Sequence, residues 1–317
     1  MNNSEKIMGN FYVLGDSLSD TGALVGGVTS LFKHLKMSKV VKMLPPFYKN
    51  SFSNGPVAAQ IIADYLHVNL IPAWKFDLFL LADEQIGNNY AVSGALASRK
   101  KELTLESFII NHFDISHQLD ALISQRHINN NDIIFIEIGG NDILYASKQL
   151  SVSNQEVVIN EATTLIKDIL HKLITKGAQR IFLSNVANIS LTPLFKNKDT
   201  IKERVLLLTN KFNKILDNII ESLNRNKKII IKYDMFSALT NAINQFKNLD
   251  SNHNITDAAV TTDFSEIINN GIIIPHFNEN VNEKNINNYF FFDNIHPNKW
   301  AHNIIGQELI ELIVKNK

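Results

Sequence analysis

The sequence predicts an α/β fold with a central five-stranded parallel sheet. Short, almost uninterrupted apolar runs are typical of parallel strands that are buried on both faces. Longer stretches with helical spacing of apolar residues alternate with these runs along the chain. Strands that alternate with helices favour parallel pairing through right-handed crossovers. These observations predict one sheet with helices on both of its faces.

The first three predicted strands run directly into turn residues, as strands of an open sheet do. The five strands are predicted at 11–14, 88–92, 133–139, 180–186 and 228–234. Helical spacing predicts helices at 29–44, 57–66, 114–125, 154–177 and 200–224, and a last helix after Pro297. We expect the glycines at 22, 26 and 27 to keep the segment before the first helix loose.

Length and composition predict a single large domain over residues 1–317, with a flexible N-terminus at 1–10. The 317 residues are 45% hydrophobic, which suffices for a large core. Lysine plus arginine and aspartate plus glutamate both number 31, so no net charge draws the molecule towards nucleic acid, which we do not expect as a partner. The absence of cysteine excludes disulfides, thiolate catalysis and cysteine-ligated zinc.

The N-terminal sequence has no apolar run of the kind that a secretory signal needs. No apolar run anywhere reaches the roughly 20 residues of a membrane span. We therefore expect a soluble chain. It would be cytoplasmic, or secreted as a mature form or by a route without a cleaved signal.

Ser17 directly follows the first strand, in Gly15-Asp16-Ser17. Because ligands and catalytic groups collect at the carboxyl ends of parallel strands, a serine at this place is a candidate nucleophile. Serine is also a preferred helix N-cap, and this second role stays open. The nucleophile hypothesis requires a base, a carboxylate that orients the base, and donors for an oxyanion.

Asp293 and His296 supply the missing base and carboxylate. An Asp-x-x-His pair in a turn that Pro297 bounds can place the carboxylate against one imidazole nitrogen, which leaves the other nitrogen to take a serine proton. A metal-ligand pair is the alternative interpretation. The ten histidines, however, form no His-x-x-x-His or His-Glu-x-x-His pattern that would complete such a site.

Gly94 and Asn141 follow the second and third strands and are candidate oxyanion donors. The backbone at Gly94 can approach a substrate closely, and Asn141 offers a carboxamide NH₂. A tight-turn glycine and an Asx-turn asparagine are the alternatives for each residue taken singly. Only their coincidence with Ser17 and His296 favours the catalytic interpretation.

Two further segments have ambiguous patterns. The apolar loop at 68–82 either fills the core or forms a wall that binds a long acyl chain. The asparagine-rich region at 252–288 has no clear period and is interpreted as a loop. An excess of lysine and arginine at 196–232 indicates a solvated helix face or, alternatively, contact with an anionic surface.

The motifs taken together resemble the GDSL lipase and esterase family, the SGNH hydrolases. The matching blocks are Gly15–Asp20, Asn89–Ala95, Gly139–Asp142 and Asp293–Pro297, in the family's order. The resemblance implies a flavodoxin-like three-layer α/β/α fold and no metal or cofactor. It also implies a nucleophile, a general base, the residue that orients the base, and oxyanion donors from two backbone N–H groups and one side chain. The nucleophile would be Ser17, the general base His296, and the residue that orients the base Asp293. The oxyanion donors would be the backbone N–H groups of Ser17 and Gly94 and the side chain of Asn141.

The segment at 53–56 and the extended ending around His296 further resemble the bacterial phospholipases, lysophospholipases and glycerophospholipid:cholesterol acyltransferases. Members of this subgroup often carry cysteines before the last block and a signal peptide, both of which this sequence lacks. The resemblance implies a serine esterase that acts on lipid-like esters as a lysophospholipase A or phospholipase A. Its partners would be an ester or phospholipid substrate and, transiently, a membrane surface.

Other activities remain open at this point. Acyl transfer to an alcohol or sterol, deacetylation of short-chain or carbohydrate esters, and thioester hydrolysis all use the same machinery. A catalytically silent flavodoxin-like binding module is the alternative outside enzymes. That module would have no physical need for all five of the candidate residues.

Overall fold

The computed structural model describes residues 9–34, 36–37, 39–74, 87–102 and 111–316. In chain order the strands are β1 Phe11–Gly15, β2 Lys42–Met43, β3 Ile133–Glu137, β4 Ile181–Ser184, β5 Ile230–Tyr233, β6 Asn254–Ala258, β7 Val260–Asp263, β8 Ile272–Phe277 and β9 Tyr289–Phe291. The helices are α1 Ala23–His34, α2 Ala58–Tyr65, α3 Ile115–Gln125, α4 Gly140–Ser147, α5 Val152–Thr175, α6 Asp199–Leu223, α7 Met235–Leu249, α8 Glu266–Asn270 and α9 Lys299–Lys315.

The main sheet has four parallel strands in the order β1-β3-β4-β5. Nearly every residue of these strands is buried, which explains why their sequences read as continuous apolar runs. The register pairs Gly15 of β1 with Glu137 of β3, and Glu137 with Ser184 of β4. The carboxyl ends of β1 and β3 therefore lie side by side, and so do the loops that follow them.

The segment predicted as the second strand, 88–92, lies beside β1 at the fifth position of the sheet. Three backbone hydrogen bonds join it to β1, including Tyr90 N to Val13 O at 2.7 Å. The pairing is reduced to an isolated parallel bridge between Val13 and Asn89. The ladder stops there because Gly15 N donates to the side-chain oxygen of Gln118 at 2.8 Å, while Tyr90 O accepts from Trp74 Nε1 at 2.9 Å.

Helices cover both faces of this sheet. On one face α9 packs against α2 and α7, and on the other α5 packs against α3, α4 and α6. One large apolar core joins the sheet to both helical layers. The predicted three-layer α/β/α class is confirmed. The helices that were predicted from residue 57 onward begin and end within about two residues of the predicted positions in most cases.

The first helix was placed wrongly by its periodicity. A helix was predicted at 29–44, but α1 spans Ala23–His34 and residues 42–43 form strand β2. The carboxylate of Asp20 accepts hydrogen bonds from the N–H groups of Gly22, Ala23 and Leu24, so the helix begins shortly after Asp20. Gly26 and Gly27, which were expected to keep this segment loose, lie within the helix. Lys36, with φ +57°, follows the helix in a left-handed conformation.

Region 252–288 is not a loop. It contains β6, β7, α8 and β8, and β8 pairs with β2 and β7 in a second, three-stranded sheet. β6 pairs instead with β9. A smaller apolar core that includes Phe47, Phe52 and Phe292 lies with these elements. β6 and β7 escape prediction because they are short and largely polar, so their alternation is weak. In β8 a proline interrupts the apolar run.

Part of the predicted acyl-binding wall lies outside the described residues. Residues 75–82 of the segment at 68–82 are not among the described residues. Residues 1–8 of the predicted flexible N-terminus also lie outside them. Within the described part, Trp74 is buried and donates a hydrogen bond to Tyr90 O at 2.9 Å, which is core packing. None of the helices that the structure describes is long and apolar enough to cross a bilayer.

Candidate active site

Ser17 lies in a tight turn at the end of β1. The carbonyl of Asp16 accepts hydrogen bonds from Ser19 N at 3.1 Å and Asp20 N at 3.0 Å, which folds the chain back on itself. Ser17 is half-buried at the tip of this turn. Because α1 begins at Ala23 and Asp20 caps it, Ser17 is not the N-cap of that helix. Its hydroxyl is free for other partners.

Asp293 and His296 share a closed turn between β9 and α9. The turn is closed by hydrogen bonds from Phe292 N to His296 O and from Asn298 N to Phe290 O, both 2.8 Å long. Asn298 also caps α9. The backbone thus holds the two side chains at a fixed separation on one side of the turn.

The structure brings Ser17, His296 and Asp293 together in one line of hydrogen bonds. His296 Nε2 lies 2.7 Å from Ser17 Oγ. His296 Nδ1 lies 2.7 Å and 2.9 Å from the two carboxylate oxygens of Asp293. With Nδ1 donating to the carboxylate, Nε2 is the acceptor that faces the serine hydroxyl. This is the geometry that deprotonation of a serine by histidine requires.

Burial and charge oppose each other at this pair. Burial lowers the pKa of His296, but the charge and hydrogen bond of Asp293 and the charge of Asp16 raise it above its ordinary value overall. Burial raises the pKa of Asp293, but His296 and the backbone N–H groups of His296 and Ile295 hold it below its ordinary value. Asp293 therefore stays ionised and supports positive charge on the imidazole.

Gly94 presents its backbone to open space beside Ser17. Its φ is +84°, a left-handed conformation that favours glycine, and an ideal Cβ built there would meet no atom within 4 Å. The conformation, not crowding, therefore calls for glycine at this position. Within the described part of the chain, no acceptor takes the N–H of Gly94 or of Ser17, so both donors are available to a ligand.

Asn141 stands at the start of α4 and is tied to the Gly94 loop. Its Nδ2 donates to Ala95 O at 2.9 Å, which fixes the carboxamide and leaves a second N–H for a ligand. Gly139 caps the helix with φ +117°, and a Cβ there would lie 2.7 Å from the ring of Phe212. The helix can therefore begin at this point only behind a glycine.

Sequence reasoning gave no role to two aspartates that hold the loops together. Asp20 accepts from Ser93 N and Ser93 Oγ, and so joins the Ser17 turn to the residue before Gly94. Asp142 accepts from Ala97 N, Ser98 N and Ser98 Oγ. Both residues lie inside the matched sequence blocks, and this was the available signal.

Phe52 and His302 also border the candidate base. The Phe52 ring packs against the His296 ring with centroids 5.0 Å apart. His302 is buried, and its Nδ1 accepts from Ala58 N at 3.3 Å. Burial and the charge of His296 lower the pKa of His302 to about 3, so it is neutral. Among the described residues, no three acidic or histidine side chains come together to hold a metal ion.

Two hollows meet at the site and share Asn141, Leu144 and Ile295. The first is a narrow, mainly apolar cavity of about 60 Å³ beside Ser17 and His296. The second is a wide groove of about 1020 Å³ that begins at Gly94. The groove is lined by Gly94, Leu96, Lys100, Glu102, Asn141, Leu144, Tyr145, Lys148, Gln149, Leu150, Asn154, Phe264 and Ile295.

Comparison with known proteins found a matching family model and curated relatives. The family model described as GDSL-like Lipase/Acylhydrolase matches residues 11–309. A GDSL lipase of Tanacetum cinerariifolium is 26% identical over 268 residues, which are 79% of this chain and 69% of that protein. A phosphatidylcholine-sterol acyltransferase of Aeromonas hydrophila is 24% identical over 190 residues, which are 60% of this chain and 48% of that protein. The match thus spans about half of the acyltransferase.

Solved structures with distant similarity include an acetyl xylan esterase variant and an alpha/beta hydrolase. A variant of an acetyl xylan esterase from Geobacillus stearothermophilus is 12% identical with a TM-score of 0.46, covering 97% of this chain and 96% of that one. An alpha/beta hydrolase from the metagenome of Lake Arreo, Spain, is 10% identical with a TM-score of 0.46, covering 97% of both chains.

Proposed function

Since the chain belongs to the GDSL-like lipase/acylhydrolase family, we propose that it is a serine ester hydrolase that acts on lipid-like esters as a lysophospholipase A or phospholipase A. The observation that carries the proposal is the contact of His296 with both Ser17 and Asp293, each at 2.7 Å. A binding module without activity would not need this hydrogen-bonded line next to two free backbone donors.

The proposed reaction has two steps through an acyl-enzyme. His296 takes the proton of Ser17 as Ser17 Oγ attacks the ester carbonyl carbon, and Asp293 stabilises the imidazolium that forms. His296 then gives this proton to the leaving alcohol as the carbon–oxygen bond breaks. In the second step His296 deprotonates a water molecule that attacks the acyl-enzyme, and the proton returns to Ser17.

The tetrahedral oxyanion of each step requires fixed donors. We assign this role to the backbone N–H groups of Ser17 and Gly94 and to the side-chain amide of Asn141. The hydrogen bonds from Asn141 to Ala95 O and from Ser93 to Asp20 support the assignment, because they hold these donors before substrate arrives.

The wide groove supports a lipid-like ester as substrate. Its volume of about 1020 Å³ exceeds the roughly 450 Å³ of a sixteen-carbon chain, at about 27 Å³ for each methylene. Apolar side chains share the groove with the cationic Lys100 and Lys148 and the anionic Glu102, which suits an apolar chain joined to a zwitterionic head group. The Aeromonas relative, a phosphatidylcholine-sterol acyltransferase, points to the same substrate class.

A substrate panel tests the proposal. Purified protein would be incubated with p-nitrophenyl acetate, p-nitrophenyl palmitate, lysophosphatidylcholine and phosphatidylcholine, with and without a sterol, and the released fatty acid and sterol ester measured. We expect hydrolysis of lysophosphatidylcholine to dominate and to vanish in Ser17→Ala. Hydrolysis of acetyl esters alone would contradict the lysophospholipase assignment, and dominant sterol ester would assign the chain to acyl transfer.

Short-chain ester hydrolysis is the second candidate, and the narrow cavity favours it. The cavity of about 60 Å³ beside Ser17 is far smaller than the groove and has room only for a short acyl group. If the acyl group lies there and not in the groove, the rate on p-nitrophenyl esters would fall sharply as the acyl chain is lengthened from acetyl. The same panel therefore separates the two candidates.

A further inference from the structure

Two buried carboxyl groups line the narrow cavity together with Ser17 and His296. They are Asp16, which is 4% exposed, and Glu137, which is 5% exposed. The register of the sheet makes them neighbours, because Glu137 pairs with Gly15 and Asp16 follows Gly15 directly. A Cβ at position 15 would lie 2.4 Å from Glu137 O, so glycine allows the two strand ends to approach this closely.

The hydrogen bonding of this pair differs from that of the other buried aspartates at the site. Asp16 Oδ1 accepts only from Leu18 N at 3.1 Å, and Glu137 Oε2 accepts only from Ser19 Oγ at 2.8 Å. In the part of the chain that the structure describes, the second oxygen of each carboxyl has no donor. By contrast, Asp20 accepts from four backbone N–H groups and one hydroxyl.

No described lysine or arginine lines the cavity, and the charge of His296 offsets only part of the cost of burying the Asp16 carboxylate. A buried carboxylate with one hydrogen bond and no cation is costly, so both groups hold their protons more tightly than in water. Burial raises the pKa of Asp16 to about 7. Burial and then the charge of Asp16 raise the pKa of Glu137 to about 8. Both groups therefore change charge near neutral pH.

The other polar and titratable groups around the pair are few. The charges of Asp142, at the start of α4, and Asp20, before α1, raise the pKa of Asp16. The charge of Glu137 raises the pKa of Tyr233 on β5. Two histidines line the same cavity, from the last turn and from α9. The groups that face the pair are Ser19, Asp20, Asp142, Tyr233, His296 and His302. Of these, His296 is the one that can gain positive charge in the proposed reaction.

We propose that Asp16 and Glu137 form a positioning pair for His296, in which loss of their protons adds negative charge to that of Asp293 and strengthens His296 as a base. The inference rests on the proposed roles of Ser17 and His296. It makes Asp16 the member that acts on the imidazole and Glu137 the member that adds a second charge at higher pH. A purely structural pair would leave the pH dependence of Ser17 reactivity unchanged.

The test is the rate at which a fluorophosphonate labels Ser17 between pH 5.5 and 9.5, because labelling reports the basicity of His296 without depending on the natural substrate. The proteins compared are the wild type, Glu137→Gln, Asp16→Asn and the control Glu156→Gln. Glu156 is an exposed carboxylate of α5, paired with Lys211 and remote from the cavity.

In the wild type we expect the labelling rate to keep rising between about pH 7 and 9. In Glu137→Gln the rate at pH 9 should fall about three- to tenfold, while the rate at pH 6 stays within about twofold, because Glu137 already holds its proton there. In Asp16→Asn the rise above neutral pH should disappear and the acid limb should move to lower pH. Glu156→Gln should follow the wild type throughout.

A Glu137→Gln profile that is the wild-type profile multiplied by one constant factor would overturn the inference, and so would an increase at pH 9. If Glu137→Gln does not fold, Ser19→Ala serves instead. It removes the one hydrogen bond to the Glu137 carboxylate, and the upper step should then move to higher pH. Absence of labelling in the wild type at every pH would refute the proposed role of Ser17 and the pair with it, whereas labelling with parallel profiles refutes the pair alone.

Discussion

Four buried carboxyl groups surround the Ser17 turn, and their hydrogen bonds separate them into two kinds. Asp20 and Asp142 each accept from several backbone N–H groups, which compensates their burial. Asp16 and Glu137 each accept a single hydrogen bond. Asp20 and Asp142 thus hold the loops in place. For Asp16 and Glu137, ionisation carries an uncompensated free-energy cost of burial.

Stability should therefore fall as pH rises through the range in which the pair titrates. The unfolded chain loses the Glu137 proton near pH 4.5, whereas the folded chain holds it to about pH 8. Between these values the folded state binds more protons than the unfolded state, so the free energy of unfolding declines with increasing pH. Asp16 has the same sign between about 3.8 and 7.

We expect Glu137→Gln to be more stable than the wild type at pH 9 by about 1–3 kcal/mol, and to match it more closely at pH 5. Denaturant unfolding at both pH values measures this difference. An equal loss of stability from pH 5 to pH 9 in the two proteins would contradict the assignment of Glu137 as a buried, titrating acid.

At the scale of elements, the candidate site is an assembly of three loops that follow β1, the segment at 88–92 and β3. The fourth part, the turn with Asp293 and His296, precedes α9. Asp20 joins the first loop to the second, and Asn141 and Asp142 join the second to the third. Short side-chain contacts to backbone thus fix the relative positions of the donors.

Asp20→Ala should damage stability and activity together. It removes the cap of α1, which costs about 1–2 kcal/mol, and it releases Ser93, which positions Gly94. We expect ester hydrolysis to fall at least tenfold at temperatures where the variant is still folded, as measured by kcat/KM on a p-nitrophenyl ester.

Ser151→Ala is the matched control, because Ser151 caps α5 through Asn154 N at 3.1 Å and itself lines neither hollow. Its neighbours Leu150 and Asn154 line the wide groove, so the comparison uses p-nitrophenyl acetate, which does not need the groove. It should lose about 1 kcal/mol and keep its activity. Full activity in folded Asp20→Ala would show that the Gly94 loop holds its position without Asp20.

At the scale of the whole molecule, the groove opens beside exposed apolar side chains. Leu150 is fully exposed and Phe264 is 46% exposed, and both line the groove. We propose that this rim contacts phospholipid. Leu150→Asp, in a Ser17→Ala background that prevents turnover, should weaken sedimentation with phosphatidylcholine vesicles about five- to tenfold. The control is Leu207→Asp, because Leu207 is a leucine on α6 that is also exposed (70%) and does not line the groove. Leu207→Asp should not weaken sedimentation, and equal losses in both variants would refute the contact.

The four strands of the central sheet and the helices α2, α3, α5, α6 and α9 were predictable because their sequences are continuous apolar runs or amphipathic repeats. The helices α4 and α7 were not predicted. The start of α1 was not, because the Asp20 cap outweighs the apolar spacing that pointed to 29–44. The second sheet was hidden because β2 has only two residues, β7 is short and mostly polar, and a proline interrupts the apolar run of β8.

At the site, Ser17, His296, Asp293, Gly94 and Asn141 could be selected because each belongs to a sequence block after a strand or in a marked turn. The separation of Ser17 and His296 by 279 residues gives no sequence signal of contact, and only the fold brings them within 2.7 Å. The acid pair was invisible for the same reason. Glu137 looks like an interruption of an apolar strand until the register places it beside Asp16.

The most direct test of the account is to locate the covalent adduct by mass spectrometry after brief reaction with a fluorophosphonate, alongside p-nitrophenyl ester hydrolysis by the wild type and Ser17→Ala. The account predicts an adduct on Ser17 alone and a loss of several orders of magnitude in turnover for the folded Ser17→Ala protein. An adduct on another serine, or undiminished hydrolysis by folded Ser17→Ala, would contradict it.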